Sequence, residues 1–315
     1  MSSSTSVLVT LPGELFVAVA SYLPNSAIKN LRLACKALHE RAILRLERVF
    51  LSPNPRNIEV LRAIADHDEF RQHVVELIWD DAQLLGDVPH PDEYLLPRDE
   101  PPLPWESPPP PQEFPRWYSQ GCQDNILYLT GGRNCVKRST HPDLSAAKQK
   151  LDEFLRIEAS WSHYQELYRQ QRDTIVAGAD IEALRYSLSR FPALRRITIT
   201  PAAHGMPLLP LYETPMIRAL PTGFNYPLPR GWPTPGPNNE QYRLRPWVDD
   251  DEREKDKWRG FRIITRELAN TQQKHHVTEL VLDVHHLPTG LNCHIFEQPN
   301  EEYDNLVKIM QRPDF

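Results

Sequence analysis

The chain has few cysteines and no long apolar run, and both absences narrow the class of protein. Its four cysteines lie far apart among 315 residues and form no CxxC pair, which predicts reduced intracellular thiols and not a disulfide framework. No apolar stretch approaches the roughly 20 residues of a transmembrane helix. The basic region of a secretory signal is also missing, because the first Lys or Arg is Lys29. We therefore expect a protein of the cytoplasm or nucleus, without a membrane partner.

The chain also has no excess of positive charge, so we do not expect a nucleic-acid partner. The chain carries 36 Lys and Arg against 42 Asp and Glu, a formal net charge of −6. Nucleic-acid-binding domains usually show the opposite balance. The hydrophobic fraction of 40% fits a globular protein.

Proline is abundant and clustered. Eleven of the 31 prolines lie in residues 88–115 and eleven more in 201–246, which predicts two long insertions. The first insertion has few aromatic residues, and we interpret it as a mobile tether or a polyproline ligand. The second is rich in aromatics, so it either packs against the sheet as an ordered segment or helps to grip a substrate. The candidate substrate-contact residues are Tyr212, Phe224, Tyr226 and Trp232.

Outside the insertions, helical patterns lead into short apolar strands. Three strands are predicted, at Val74–Trp79, Leu194–Ile199 and Val277–Leu282, and each follows the order apolar-x-x-apolar-x-apolar. This order is the strand core of a leucine-rich repeat, although the intervals are much longer than the usual 20–29 residues. Residues 54–315 are therefore predicted to form an α/β fold, an irregular leucine-rich-repeat-like helix–strand array with parallel strands.

The last fifteen residues resemble the helical pattern that precedes each predicted strand. Tyr303, Leu306, Val307 and Met310 form a helical stripe, and Phe315 stands where a phenylalanine precedes the earlier strands. Because no strand follows, we expect a truncated array whose native form continues past Phe315.

Residues 11–50 are predicted to form three short helices. The leader that precedes them, 1–10, is expected to be disordered. The third helix is predicted to include Ile43, Val49 and Phe50. The unit has more apolar side chains than three short helices can bury among themselves. Either the rest of the chain or another protein must therefore cover the surplus, and the first possibility makes the unit a cap on the array.

The run Leu11-Pro12-x-Glu14-Leu15, followed by Leu33-x-Cys35-Lys36, resembles the F-box. This roughly 40-residue helical motif docks on the SKP adaptor of SCF-type ubiquitin ligases, and Leu38 stands where many members have tryptophan. The phrases VELIWDDA and TPMIRALPTGFNYPLPRGWP are similar to uncharacterised F-box proteins of filamentous fungi. The resemblance implies adaptor contacts at Leu11, Pro12, Glu14, Leu15, Leu33, Cys35, Lys36 and Leu38.

The resemblance implies a non-catalytic substrate receptor that uses no cofactor. The adaptor would link it to a cullin, and the array would hold a protein substrate that the sequence does not name. Two alternatives remain open. One is an interaction scaffold that binds the adaptor, or caps its own array, without a role in ubiquitin transfer. The other is an enzyme that uses Asp80 and Asp81, or the cluster from His275 to His294.

We predict no metal site in that histidine-rich segment. Neighbouring residues on a strand point to opposite faces, which would separate each histidine pair, and the spacing fits no zinc signature. Surface or loop histidines are the preferred interpretation. For the Asp80-Asp81 pair, loop capping is preferred over acid–base chemistry.

Overall fold

A computed structural model describes residues 7–86, 114–130, 151–233, 245–247, 252–272 and 275–315. The N-terminal helices are α1 (Val7–Thr10), α2 (Gly13–Ser21), α3 (Asn25–Ala34) and α4 (Lys36–Arg41). They enclose a small core of Phe16, Ile28, Leu38 and Ala42. Prolines precede α2 and α3, where a missing N–H costs nothing and the fixed φ favours entry into a helix.

Two N-terminal predictions are wrong. The third helix ends at Arg41, and residues 48–51 form a strand instead of continuing it to Phe50. The leader, predicted to be disordered over 1–10, is helical at Val7–Thr10, and residues 1–6 lie outside the described part of the chain. Leu8 and Val9 pack against the small core, and the Arg41 guanidinium donates a 2.6 Å hydrogen bond to the Val9 carbonyl, which explains why this part of the leader is helical.

Four parallel strands form one sheet in the order β1-β2-β3-β4. They are β1 (Arg48–Leu51), β2 (Glu76–Asp80), β3 (Arg196–Thr200) and β4 (Glu279–Leu282). The α/β class and the parallel direction are confirmed, and the three predicted strands are all present. The sheet also has β1, whose residues Val49 and Phe50 were predicted to be helical.

Further helices lie between the strands and after β4, and several of them cover one face of the sheet. Val49, Leu77 and Ile197 share a register row and point into the main core. Leu61, Leu184 and Ile264 enter that core from helices, which gives an apolar layer between sheet and helices. The helices are α5 (Pro55–Asp66), α6 (Arg116–Thr130), α7 (Ile157–Ala177), α8 (Ala179–Arg190), α9 (Pro215–Arg218), α10 (Glu252–Lys255), α11 (Arg259–Ala269) and α12 (Glu301–Met310).

A row of alternating charge crosses the other face of the sheet. Arg48, Glu76, Arg196 and Glu279 are direct register partners on successive strands. The Arg48 Nε lies 2.8 Å from Glu76 Oε2, and the Arg196 Nε lies 2.6 Å from Glu279 Oε2. Opposite charges in facing positions stabilise a pairing and like charges oppose it, so this row favours the observed register over a shifted one.

The second proline-rich segment is ordered where it is described, at 201–233 and 245–247. Together with α6 and α7 it forms a second core around Tyr118, Trp161, Tyr164, Phe224 and Tyr226. This agrees with the prediction that its aromatic residues pack. The first insertion, 88–115, lies outside the described residues except for its last two positions. No helix among the described residues has both the length and the apolar character needed to cross a bilayer.

Candidate functional site

Helix α2 has two apolar stripes, and only one is covered. Phe16 is 2% exposed, and Ala20 and Leu23 pack beside it at spacings of four and three residues. One position earlier along the helix, Leu15 and Val19 are 55% and 44% exposed, and Tyr22 at the helix end is 89% exposed. The inner stripe therefore fills the core of the unit, while the outer stripe faces solvent.

Two of the adaptor contacts that the F-box resemblance implies, Leu11 and Leu15, lie in different environments. Leu11 is half-buried against the small core, whereas Leu15 is exposed and the next residue, Phe16, fills the core. A one-residue shift turns a helical stripe by about 100°. Because Phe16 is larger than its neighbours, it fills the core best, and this places Leu15 on the outside.

The second predicted contact group is also divided. Leu33 is 84% exposed at the end of α3, and Cys35 and Lys36 are exposed as well. Leu38, another implied contact, is only 4% exposed and completes the unit's own core, which leaves it little surface to offer a partner. Pro12 and Glu14 are exposed at the start of α2. We use the name docking set for the exposed apolar residues Leu15, Val17, Val19, Tyr22 and Leu33.

Hydrogen bonds fasten the end of α2 and the start of α3 to the segment that leads into β1. Arg45 donates to the carbonyls of Ser21 and Leu23, both at 2.9 Å, and thereby caps the end of α2. Asn25 donates to the Arg45 carbonyl and accepts from its backbone N–H. The segment from Arg45 then continues directly into β1, so the helical unit is fastened to the first strand by several contacts.

Two buried carboxyl groups lie at the carboxyl end of β2. Asp81 accepts hydrogen bonds from Trp79 Nε1 at 3.2 Å, Trp232 Nε1 at 2.8 Å and the Gly260 N–H at 2.7 Å. It therefore connects the strand, the proline-rich segment and the start of α11. Burial raises the pKa of Asp81 to about 6, although these hydrogen bonds oppose the increase.

The neighbouring Asp80 lies beside a buried histidine. Its Oδ2 is 3.8 Å from His204 Nε2, and His204 Nδ1 is 2.7 Å from the Tyr226 hydroxyl. Burial raises the pKa of Asp80 to about 7 and lowers the pKa of His204 to about 3. All three side chains are at most 8% exposed. This arrangement holds the proline-rich segment against the sheet and offers little access for a substrate.

Gly260→Ala should destabilise the protein, although glycine-to-alanine changes within a helix usually stabilise by about 1 kcal/mol. A Cβ at this position would lie 2.6 Å from Asp81 Oδ1 and 2.6 Å from Trp79 Cδ1. We expect a loss of about 1–3 kcal/mol in the free energy of unfolding, as for overpacked cores. Urea denaturation measures it. Gly13→Ala, where no atom lies within 4 Å of the added carbon, is the matched control and should cause no loss.

The predicted substrate-contact residues do not form an open binding surface. Phe224, Tyr226 and Trp232 are 4%, 8% and 2% exposed, so these side chains pack inside the protein and this structure does not present them to a substrate. Tyr212 is half-buried, with its ring 5.8 Å from that of Phe50 on β1. The bond between Trp232 and Asp81 was missed, although an acidic residue directly after an apolar strand was a signal for a buried acceptor.

The histidine-rich segment divides into separate environments. His275 is buried, and its Nε2 lies near the Leu268 carbonyl and Arg312. The rings of His285 and His286 contact each other at the surface. Cys293 and His294 lie on a 3₁₀-helix, Cys293–Phe296, and not on a strand, so the alternation argument does not apply to them.

Comparison of the chain with protein-family models, with curated proteins and with solved structures finds no match. Functional inference therefore depends on the residues and their geometry. Among the candidates above, the docking set is exposed and apolar, whereas the two carboxyl groups and most of the aromatic loop are buried in structural contacts.

Proposed function

We propose that the chain is the substrate-recognition subunit of an SCF-type ubiquitin ligase and that its N-terminal helices are an F-box. The observation that carries the proposal is the uncovered outer stripe of α2. Leaving three large apolar side chains in water forgoes on the order of 1.5–3 kcal/mol each. A protein surface that covers Leu15, Val19 and Tyr22 would recover that free energy, and the Leu-Pro-x-Glu-Leu start resembles the motif that binds the SKP adaptor.

In this proposal the C-terminal part is a leucine-rich-repeat-like array that holds a protein substrate. Parallel strands, each preceded by a helix, support the array description. A non-catalytic role is supported by the burial of Asp80 and Asp81, the pair considered above as candidates for acid–base chemistry. Both are buried, and Asp81 already accepts three hydrogen bonds.

Coexpression of the full chain with the SKP adaptor, with and without the cullin, tests the proposal. We expect a one-to-one complex with the adaptor in size-exclusion chromatography with light scattering. The cullin should join only when the adaptor is present. Absence of any adaptor complex would refute the docking assignment. A complex that excludes the cullin would instead favour the scaffold without a ubiquitin role.

A further inference from the structure

A thiol, an imidazole and a carboxylate converge on the surface after β4. One possible ligand atom from each of Cys293, His294 and Glu297 lies within 4.8 Å of the other two. The His294 Nδ1 and Glu297 Oε2 are only 2.6 Å apart. Cys293 and Glu297 are exposed and His294 is partly exposed, so solvent and ions have access to all three.

The backbone under these side chains is firmly held. Asn292 is fully buried; it donates to the Arg245 carbonyl at 2.9 Å and accepts from the His294 N–H at 3.1 Å. Ile295 is also fully buried in the main core, and its carbonyl accepts a 2.8 Å hydrogen bond from Asn300. The buried residues Asn292 and Ile295 therefore fix the backbone on both sides of Cys293 and His294, whose side chains reach the surface. A site on such a fixed backbone loses little conformational entropy when it closes.

The turn type explains how neighbours in sequence meet here. Cys293 and His294 lie on a 3₁₀-helix, and Glu297 directly follows it. In this tight helix, side chains three residues apart eclipse each other, which places His294 under Glu297. An extended strand would have turned Cys293 and His294 to opposite faces.

We propose that Cys293, His294 and Glu297 bind a zinc ion, with water in the fourth position. Mixed sulfur, nitrogen and oxygen donors suit Zn²⁺, whereas Mg²⁺ and Ca²⁺ require oxygen donors. A tetrahedral zinc site has bond lengths of about 2.0–2.3 Å and so separates its donors by roughly 3.5 Å. The three donors already lie within 4.8 Å of one another, so the site closes when Cys293 moves closer and the His294 and Glu297 atoms, now 2.6 Å apart, separate slightly. The thiol of Cys293 loses its proton to solvent when the ion binds, and His294 binds through Nδ1 as a neutral imidazole with its proton on Nε2.

Titration of the chelator-treated full chain with Co²⁺ alone tests this site. We expect visible absorption of a tetrahedral ion and a near-ultraviolet thiolate charge-transfer band, both saturating at one equivalent and abolished by Zn²⁺. Cys293→Ser should remove the charge-transfer band. Cys35→Ser, which alters another exposed cysteine, should leave it unchanged. Glu297→Gln should weaken Co²⁺ binding by about tenfold or more, as losses around metal sites commonly do.

Alkylation of the unaltered chain provides a test without any variant. Zn²⁺ should slow the reaction of Cys293 with iodoacetamide and leave that of Cys35 unchanged, as read by peptide mass spectrometry. The proposal is wrong if no tetrahedral spectrum saturates near one equivalent, if the charge-transfer band persists in Cys293→Ser, or if Zn²⁺ does not protect Cys293.

Discussion

Changing Leu15 and Leu33 together to aspartate is expected to abolish binding of the SKP adaptor without destabilising the chain. Both side chains belong to the docking set and are 55% and 84% exposed, so neither supports the fold. In a complex, each change would replace a covered apolar anchor by a buried charge. A loss of about 2 kcal/mol per site corresponds to a roughly thousandfold weaker affinity for the pair, which calorimetry of the purified proteins would measure.

Two variants make this result specific to the docking set. Val176→Asp alters an apolar residue that is 83% exposed on α7, and it should leave adaptor binding intact. Leu38→Asp alters a core residue that is 4% exposed, and its main effect should be a loss of folding free energy. If the Leu15 and Leu33 double variant is well folded and binds the adaptor as tightly as the parent chain, the docking assignment must be abandoned.

Asp81→Ala is expected to cost about 3–5 kcal/mol in the free energy of unfolding. The change leaves the indole N–H groups of Trp79 and Trp232 and the backbone N–H of Gly260 without their acceptor. Each buried donor without a partner costs about 1–3 kcal/mol, and the groups share one site, so their costs do not simply add. Urea denaturation at neutral pH measures the loss.

Asp81→Asn is the conservative comparison, because it keeps one acceptor oxygen and should cost less than the alanine variant. Asp152→Ala removes an exposed carboxyl and should change stability by less than about 0.5 kcal/mol. An Asp81→Ala variant as stable as the parent chain would show that the three hydrogen bonds do not hold the proline-rich segment to the sheet.

Much of the sheet could be predicted because each strand repeats one local pattern. Glu76, Arg196 and Glu279 occupy the third position of their six-residue patterns, and the structure pairs them directly. The missed strand has the same pattern: Leu46, Val49 and Leu51 are its apolar positions, and Arg48 is the third residue. It was overlooked because its apolar residues continue a helical region, where a short run satisfies either period.

The buried polar contacts could not be predicted from local sequence patterns, because their partners lie far apart in the chain. Trp232 donates to Asp81 across 151 residues of sequence, and no spacing rule links them. The excess of apolar side chains on the N-terminal helices was predicted, yet which of them are exposed was not. Leu15 and Phe16 are both large and apolar, so the choice of which one faces inward depends on the shape of the core that Ile28 and Leu38 complete.

The parallel order of the strands has a kinetic consequence during synthesis. Thr198 on β3 hydrogen-bonds to Glu76 on β2 from 122 residues further along the chain. At roughly 5–20 residues per second, a ribosome needs about 6–24 seconds to supply that partner. Until then β2 has one open edge that can pair with other nascent chains. All five residues of this strand are buried in the finished fold. The N-terminal helices, whose contacts are local, can fold during this delay, so the exposed apolar face of α2 forms before the sheet is complete.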